Sequence, residues 1–454
     1  MPPMLQFETL PPSFATLLQT LGPCFTAPTF RTFAVLVAGM IAQPGRHTVT
    51  GMLTAAGLAG VWHHAKAHWF FSRARWCADA LGMAVLAVIV EQLLPADAAM
   101  LIAVDDTLFR RSGRKVYATG WWHDGAATSK RRDATGWGNR WVIAAVVLWL
   151  PFTDRPVALP VAFALCTKTG PTPQVLAGRL VTRIAAAYPH RQIDVVADAW
   201  YASAAGPAGA TVGKTRQRAF PPGVTLTSRL RANACLNAIA QPIPGARGRP
   251  RRIGTRLGKP ADLAATATFT PTTVRRYGRT DTIHIAQITR LWYGAYRSQA
   301  IRVILIRDPD SKTSTGYDLA LVTTDLTSHP EHIVARYAAR WSIEVMIEDA
   351  KQTTGVGQAR NRTPTAVTRT VPFGLITQSL TVCWYTLHGH HPDLATQRRA
   401  AAPWYTTKTQ PAYHDMIIKL RRTLITARFR ADKPRKPTHD EILAVHPAWA
   451  EAAA

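Results

Sequence analysis

Tyr337, Arg340, Glu344 and Lys351 stand at offsets of 0, 3, 7 and 14 along one stretch of the chain. At about 100° per residue on a helix, all four fall within one arc of roughly 60°. That is not a core face, and its chemistry is coherent. A carboxylate can hold a hard cation, while an aromatic hydroxyl, a guanidinium and an ammonium can donate to phosphate oxygens. Glu348 lies close to the same arc and competes with Glu344 as the carboxylate. The plainer account of this face is a solvated helix with Arg340 and Glu344 paired at i, i+4.

Two further acids follow apolar runs. Leu101-Ile102-Ala103-Val104 is expected as a short buried strand ending in Asp105-Asp106-Thr107. Ile193-Asp194-Val195-Val196-Ala197 is expected as another, ending in Asp198. Side chains at the carboxyl ends of neighbouring strands converge where ligand sites commonly form. Two facing carboxylates repel and raise each other's pKa unless a cation lies between them. Oxygen donors without His or Cys suit Mg²⁺ or Mn²⁺ rather than zinc. An Asp after a strand also commonly caps a helix or turn, so the pair alone does not decide.

The elements that would position these acids follow from periodicity. Residues 1–97 read as a helical N-terminal domain, with Thr48 or Thr50 as an N-cap and a basic, aromatic helix from Trp62 to Trp76. Such a head suits DNA binding, and equally an ordinary helical cap on the core. Residues 98–231 alternate strands with helices and carry both Asp blocks. Residues 232–329 read as a β-rich insertion, with strands expected at Thr266–Thr270, Ile283–Trp292, Ile301–Ile306 and Tyr317–Thr323. Residues 330–390 return to helix, including one helix from His332 to about Thr353, and residues 391–454 form a basic segment. The fold class is α/β: a mixed sheet flanked by helices, interrupted by a β-rich insertion and preceded by a helical domain.

The pattern Tyr-x2-Arg-x3-Glu-x6-Lys from Tyr337 to Lys351, with Val104-Asp105-Asp106-Thr107 and Val195-Val196-Ala197-Asp198, resembles bacterial insertion-sequence transposases of the cut-and-paste type. The resemblance implies a ribonuclease-H-like catalytic core over about residues 100–390. It implies Asp106, Asp198 and Glu344 as catalytic metal ligands for two Mg²⁺ or Mn²⁺ ions, with Asp105 as the alternative first acid. Its activity would be cleavage at transposon ends and strand transfer into double-stranded target DNA, by a homodimer in the synaptic complex. A hairpin step, where present, requires a flipped base stacked on an aromatic ring, with Trp292, Tyr293 and Trp341 as candidates. The other readings are a repurposed DNA-binding protein on the same fold, or a ribonuclease-H-like nuclease acting on RNA.

Composition agrees with a polyanionic partner. The 454 residues hold 54 Lys and Arg against 27 Asp and Glu, a formal net charge of +27. Phosphate backbones relieve such self-repulsion by releasing counterions. Two clusters are expected to grip DNA: Arg110, Arg111, Arg114 and Lys115 after the first Asp block, and Arg247, Arg249, Arg251 and Arg252 in a loop rich in Gly and Pro. Arg247-Gly248-Arg249-Pro250 is similar to a minor-groove hook. The apolar runs Leu81–Val90 and Trp141–Pro151 are shorter than the roughly 18–20 residues that span a bilayer. No membrane partner is expected. No secretory signal is apparent, and five scattered cysteines form no CxxC pair, so a bacterial cytoplasmic protein is expected.

Overall fold

A computed structural model describes residues 10–125, 134–212, 215–241, 251–402 and 404–428, together with His439 and Leu443. Arg247, Arg249 and the Gly248 and Pro250 of the hook-like segment lie outside the described residues.

Five helices open the chain: α1 (Pro12–Gln19), α2 (Ala27–Ala42), α3 (Val49–Ala55), α4 (His64–Ser72) and α5 (Ala78–Leu93). Thr48 is the N-cap of α3, its Oγ1 accepting from the Gly51 N–H at 3.0 Å. Next come β1 (Met100–Arg110), β2 (Gly120–His123), β3 (Thr135–Leu148), β4 (Val157–Leu165), α6 (Pro173–Ala187) and β5 (Ile193–Ala197). A small hairpin, β6 (Ala210–Val212) and β7 (Thr215–Gln217), leads to β8 (Thr225–Arg229), β9 (Leu236–Asn237) and β10 (Arg256–Gly258). Then follow α7 (Pro260–Thr266), β11 (Thr270–Arg276), β12 (Arg279–Leu291), α8 (Tyr293–Tyr296), β13 (Ala300–Arg307) and β14 (Leu319–Thr323). The chain closes with α9 (Pro330–Ala339), α10 (Trp341–Gln352), α11 (Pro364–Trp384), α12 (Leu394–Ala401) and α13 (Tyr413–Arg428).

Apart from the small hairpin, the strands form one mixed sheet. Its order is β10-β9-β12-β13-β14-β8-β5-β1-β3-β2, with β11 on β12 and β4 on β3. The β1–β5 and β5–β8 pairings are parallel, whereas β1–β3, β8–β14 and β13–β14 are antiparallel. The strands of 232–329 therefore extend the core sheet edge to edge, through β14 and β8, instead of forming a separate layer. Thr266, expected in a strand, instead ends α7. Pro260 at the start of that helix and the Lys259 N–H donating to Asp262 Oδ2 at 2.7 Å set a helical turn there.

The N-terminal helices share the main hydrophobic core. The Phe373 ring of α11 meets Phe33, Phe70 and Phe71 at 6.0, 5.9 and 5.2 Å, all edge-on. Such packing fixes α11 against the head. On its other side, Gln378 Nε2 donates to the Met346 carbonyl of α10 at 3.0 Å, and Ser379 Oγ to the Pro160 carbonyl of β4 at 2.8 Å. The helix bearing Glu344 is thus held by a buried neighbour that is itself locked to the sheet.

Candidate active site

The acids stand where one neighbouring strand ends and the other continues. β5 stops at Ala197, level with Val104, so Asp198 emerges beside Asp105. On the opposite edge β3 stays paired with β1 as far as Arg110, which lies across from Gly138. A Cβ at Gly138 would come within 2.3 Å of the Phe109 carbonyl oxygen, so the close approach of these strands needs glycine there. Asp105 and Asp106 consequently lie within β1, not at its end as expected.

Successive side chains of a strand point to opposite faces, and the two acids separate accordingly. Asp105, Thr107 and Phe109 face α9 and α10. Arg340 Nη1 lies 3.9 Å from Asp105 Oδ2 and 2.7 Å from Glu344 Oε1. Lys351 Nζ donates to Thr107 Oγ1 at 2.7 Å and sits 5.6 Å from the Phe109 ring. Asp106 faces the other way. Its carboxylate accepts from Arg140 Nε at 2.6 Å and from the Tyr201 hydroxyl at 3.0 Å. Asp106, expected as the first acid, thus pairs with Arg140 and Tyr201, while Asp105, the alternative, lies on the side of Arg340 and Glu344.

The electrostatics of the two positions differ as well. Burial, then the carboxylates of Asp198 and Asp106, push Asp105 up to about 7, against partial relief from Arg340. Asp198 is also raised, chiefly by burial and further by Asp106, while the Trp200 N–H and Arg340 pull it back. The Arg340 Nε is buried and has no hydrogen-bond partner among the described residues. Buried guanidinium donors are normally satisfied, so this N–H suits an incoming anion.

The single helix expected over 332–353 is two helices meeting at Arg340, whose N–H donates to the Tyr337 carbonyl at 3.1 Å, an i−3 bond that tightens the turn. Tyr337 is therefore turned into a second apolar cluster with Val274, Ile283, Ile304 and Leu321. Its ring lies 5.7 Å from the Arg340 guanidinium, and Asp198 is among the charges that bear on its hydroxyl. Glu348 is exposed and accepts from Gln352 Nε2 at 3.0 Å, so Glu344 is the glutamate beside Arg340.

The basic stretch after β1 divides by burial. Arg111 is spent on structure: Nε donates to Asn139 Oδ1 at 3.0 Å, and Nη1 to the carbonyls of Gly357 (2.9 Å) and Ala359. Burial lowers its pKa to about 10. That contradicts its expected place in a phosphate cradle. Arg110 pairs with Asp124 at 2.6 Å but remains 66% exposed, and Arg114 and Lys115 are exposed. Arg251 and Arg252 are also exposed, ahead of β10. Of the aromatic candidates, Trp292 and Tyr293 are half-buried, and Trp292 packs 5.9 Å from Tyr296. Trp341 is exposed at the start of α10, where it lines a cleft of about 1130 Å³ with Arg155, Tyr277, Asp349 and Gln378.

Sequence reasoning missed Arg140, Tyr201, Thr107 and Trp200. Arg140 reaches Asp106 only through the β1–β3 register, a long-range pairing that local spacing does not encode. Trp200 and Tyr201 follow Asp198 by two and three residues, and the turn after that acid is the local signal that points to them.

Among the described residues, no three His, Cys, Asp or Glu stand grouped as a metal-binding set. The donor chemistry nonetheless fits a divalent cation. Burial first, and then the carboxylates of Asp198 and Asp106, push the Asp105 carboxyl up to about 7, while Arg340 lies between Asp105 and Glu344, 3.9 Å from the one and 2.7 Å from the other.

A family model described as DDE superfamily endonuclease matches residues 20–290, more than half of the chain. The matched region includes Asp105, Asp106 and Asp198 and stops before Glu344. A search of curated proteins found no match. The mixed sheet flanked by helices agrees with the ribonuclease-H-like architecture expected of such enzymes, and the chain belongs to the DDE superfamily of endonucleases.

Proposed function

We propose that the protein is a DNA transposase that cuts double-stranded DNA at the ends of its own element and joins the freed ends to target DNA. Asp105, Asp198 and Glu344 would hold divalent metal ions, Mg²⁺ or Mn²⁺. The observation that carries this reading is the strand-end geometry that brings Asp198 level with Asp105, on the face where Arg340 bridges to Glu344. The +27 net charge supports DNA as the substrate.

When bound, such ions activate water and stabilise the leaving 3′ oxygen in phosphodiester cleavage. The protein's own groups do the rest. Arg340 would donate to a phosphate oxygen through its buried Nε, which has no partner among the described residues. Lys351, anchored on Thr107, adds positive charge on the same face of β1. Tyr337 keeps Arg340 in place from the apolar side. Asp106 holds Arg140 and Tyr201, and the Tyr201 N–H donates to the Asp198 carbonyl at 3.1 Å, so this second network orients the turn that bears Asp198. Arg110, Arg114, Lys115, Arg251 and Arg252, all exposed, would meet backbone phosphates further along the duplex. A homodimer, each protomer gripping one DNA end, belongs to the same proposal.

The test is incubation with linear DNA carrying the element's terminal inverted repeats, with Mg²⁺ or with EDTA. Metal-dependent cleavage at the repeat ends, lost in Glu344→Gln, is expected. Cleavage in EDTA, or undiminished cleavage by Glu344→Gln, overturns the assignment.

A further inference from the structure

The turn that delivers Asp198 also delivers an exposed indole. The Trp200 N–H donates to Asp198 Oδ1 at 2.9 Å, so the carboxylate fixes the backbone that carries the ring. Gln174 Nε2 holds the Trp200 carbonyl at 2.7 Å, and Arg231 Nε donates to the Ala199 carbonyl at 3.3 Å. The Arg231 guanidinium lies 5.6 Å from the Trp200 ring centroid, and the residue is 48% exposed. A large aromatic side chain ordinarily gains by burial, yet this one is pinned at the surface two residues from an acid of the site.

We infer that Trp200 is a stacking platform for a nucleobase of the substrate strand beside the cleaved phosphate, with Arg231 meeting the adjoining backbone. This rests on the reading of the acids as a DNA-cutting centre. A nucleobase is the ligand whose chemistry fits: it has a flat π-face for the indole and a phosphate for the guanidinium, in a protein of strongly positive charge. Base–aromatic stacking tolerates any sequence, because every base has a π-face. An unpaired base is required, so the platform favours single-stranded DNA, or duplex opened at the cleavage point.

The test measures binding of a short oligothymidylate and of a blunt duplex in EDTA, by anisotropy and by tryptophan fluorescence. Trp200→Ala should weaken single-strand binding about 5- to 100-fold and leave duplex affinity within about twofold. Trp200→Phe, which keeps a ring, should bind single strands within about threefold of the parent while losing part of the fluorescence quench. The ring is exposed, so both variants should melt with the parent. Unchanged single-strand affinity in Trp200→Ala, or equal weakening in Trp200→Phe, overturns the proposal. Because binding is read without metal, a parent that binds in this way but fails to cleave with Mg²⁺ sinks the nuclease reading alone.

Discussion

Asp105 and Asp106 are neighbours on one strand and live in opposite surroundings. Asp106 has its negative charge matched by Arg140 at 2.6 Å and its other oxygen satisfied by Tyr201. Asp105 has Arg340 at 3.9 Å, shared with Glu344, and is pushed up to about 7 by burial and the acids around it. A carboxylate already neutralised by a close guanidinium gains little from a cation, whereas one in unrelieved repulsion gains a great deal. On the proposed reading, this difference makes Asp105 the metal ligand and Asp106 the structural acid.

Four perturbations probe that division, the largest expected effect first. Asp105→Asn and Asp198→Asn should each lower metal-dependent cleavage by about 10³-fold or more, the several kcal/mol that metal positioning supplies. Their melting temperatures in EDTA should not fall. Asp106→Asn should do the reverse: it leaves the Arg140 charge unmatched, costing about 1–3 kcal/mol of stability in denaturant titration, with activity per folded molecule reduced about tenfold or less. Equal losses of activity in the two variants would erase the distinction.

The third perturbation is pH without metal. The folded protein holds the Asp105 proton up to about pH 7, whereas the unfolded chain releases it near 3.8. Between these values the unfolded state binds fewer protons, so ionisation destabilises the fold progressively as pH rises and levels off above 7. Asp105→Asn removes that cost. Its melting temperature relative to the parent should therefore rise from pH 4 to pH 7, by roughly a few degrees, and stay level beyond. A constant difference across that range would show that Asp105 ionises normally. The smallest effect concerns Lys351. Lys351→Met should raise the KM for DNA a few-fold and make the salt slope of binding shallower by about one, with kcat little changed.

Much of the architecture was legible because burial leaves a local trace. The β-branched run Ile193–Ala197 and the apolar Leu101–Val104 read as strands, and the Glu344 face followed from helical spacing. What spacing cannot give is which side of a strand meets which helix. Asp105 and Asp106 are equivalent until the β1–β5 register and the position of Arg340 are known. The same limit hid Arg140, whose role exists only through pairing with a strand some thirty residues away. Arg111 misled for a related reason: a cation in a basic run looks solvated until the carbonyls of Gly357 and Ala359 fold over it. Tyr337 shared the helical face in the sequence, and in the fold it lies in the apolar cluster while still meeting Arg340.

The central claim is tested most directly by Mn²⁺ binding to the DNA-free protein, measured by calorimetry at pH 6.5 and 7.5 for the parent, Asp105→Asn and Asp106→Asn. The account predicts that the parent and Asp106→Asn bind Mn²⁺ with release of a proton that is larger at pH 6.5, and that Asp105→Asn loses both the binding and the proton. Retained Mn²⁺ binding in Asp105→Asn together with its loss in Asp106→Asn would contradict the account and return the first ligand to Asp106.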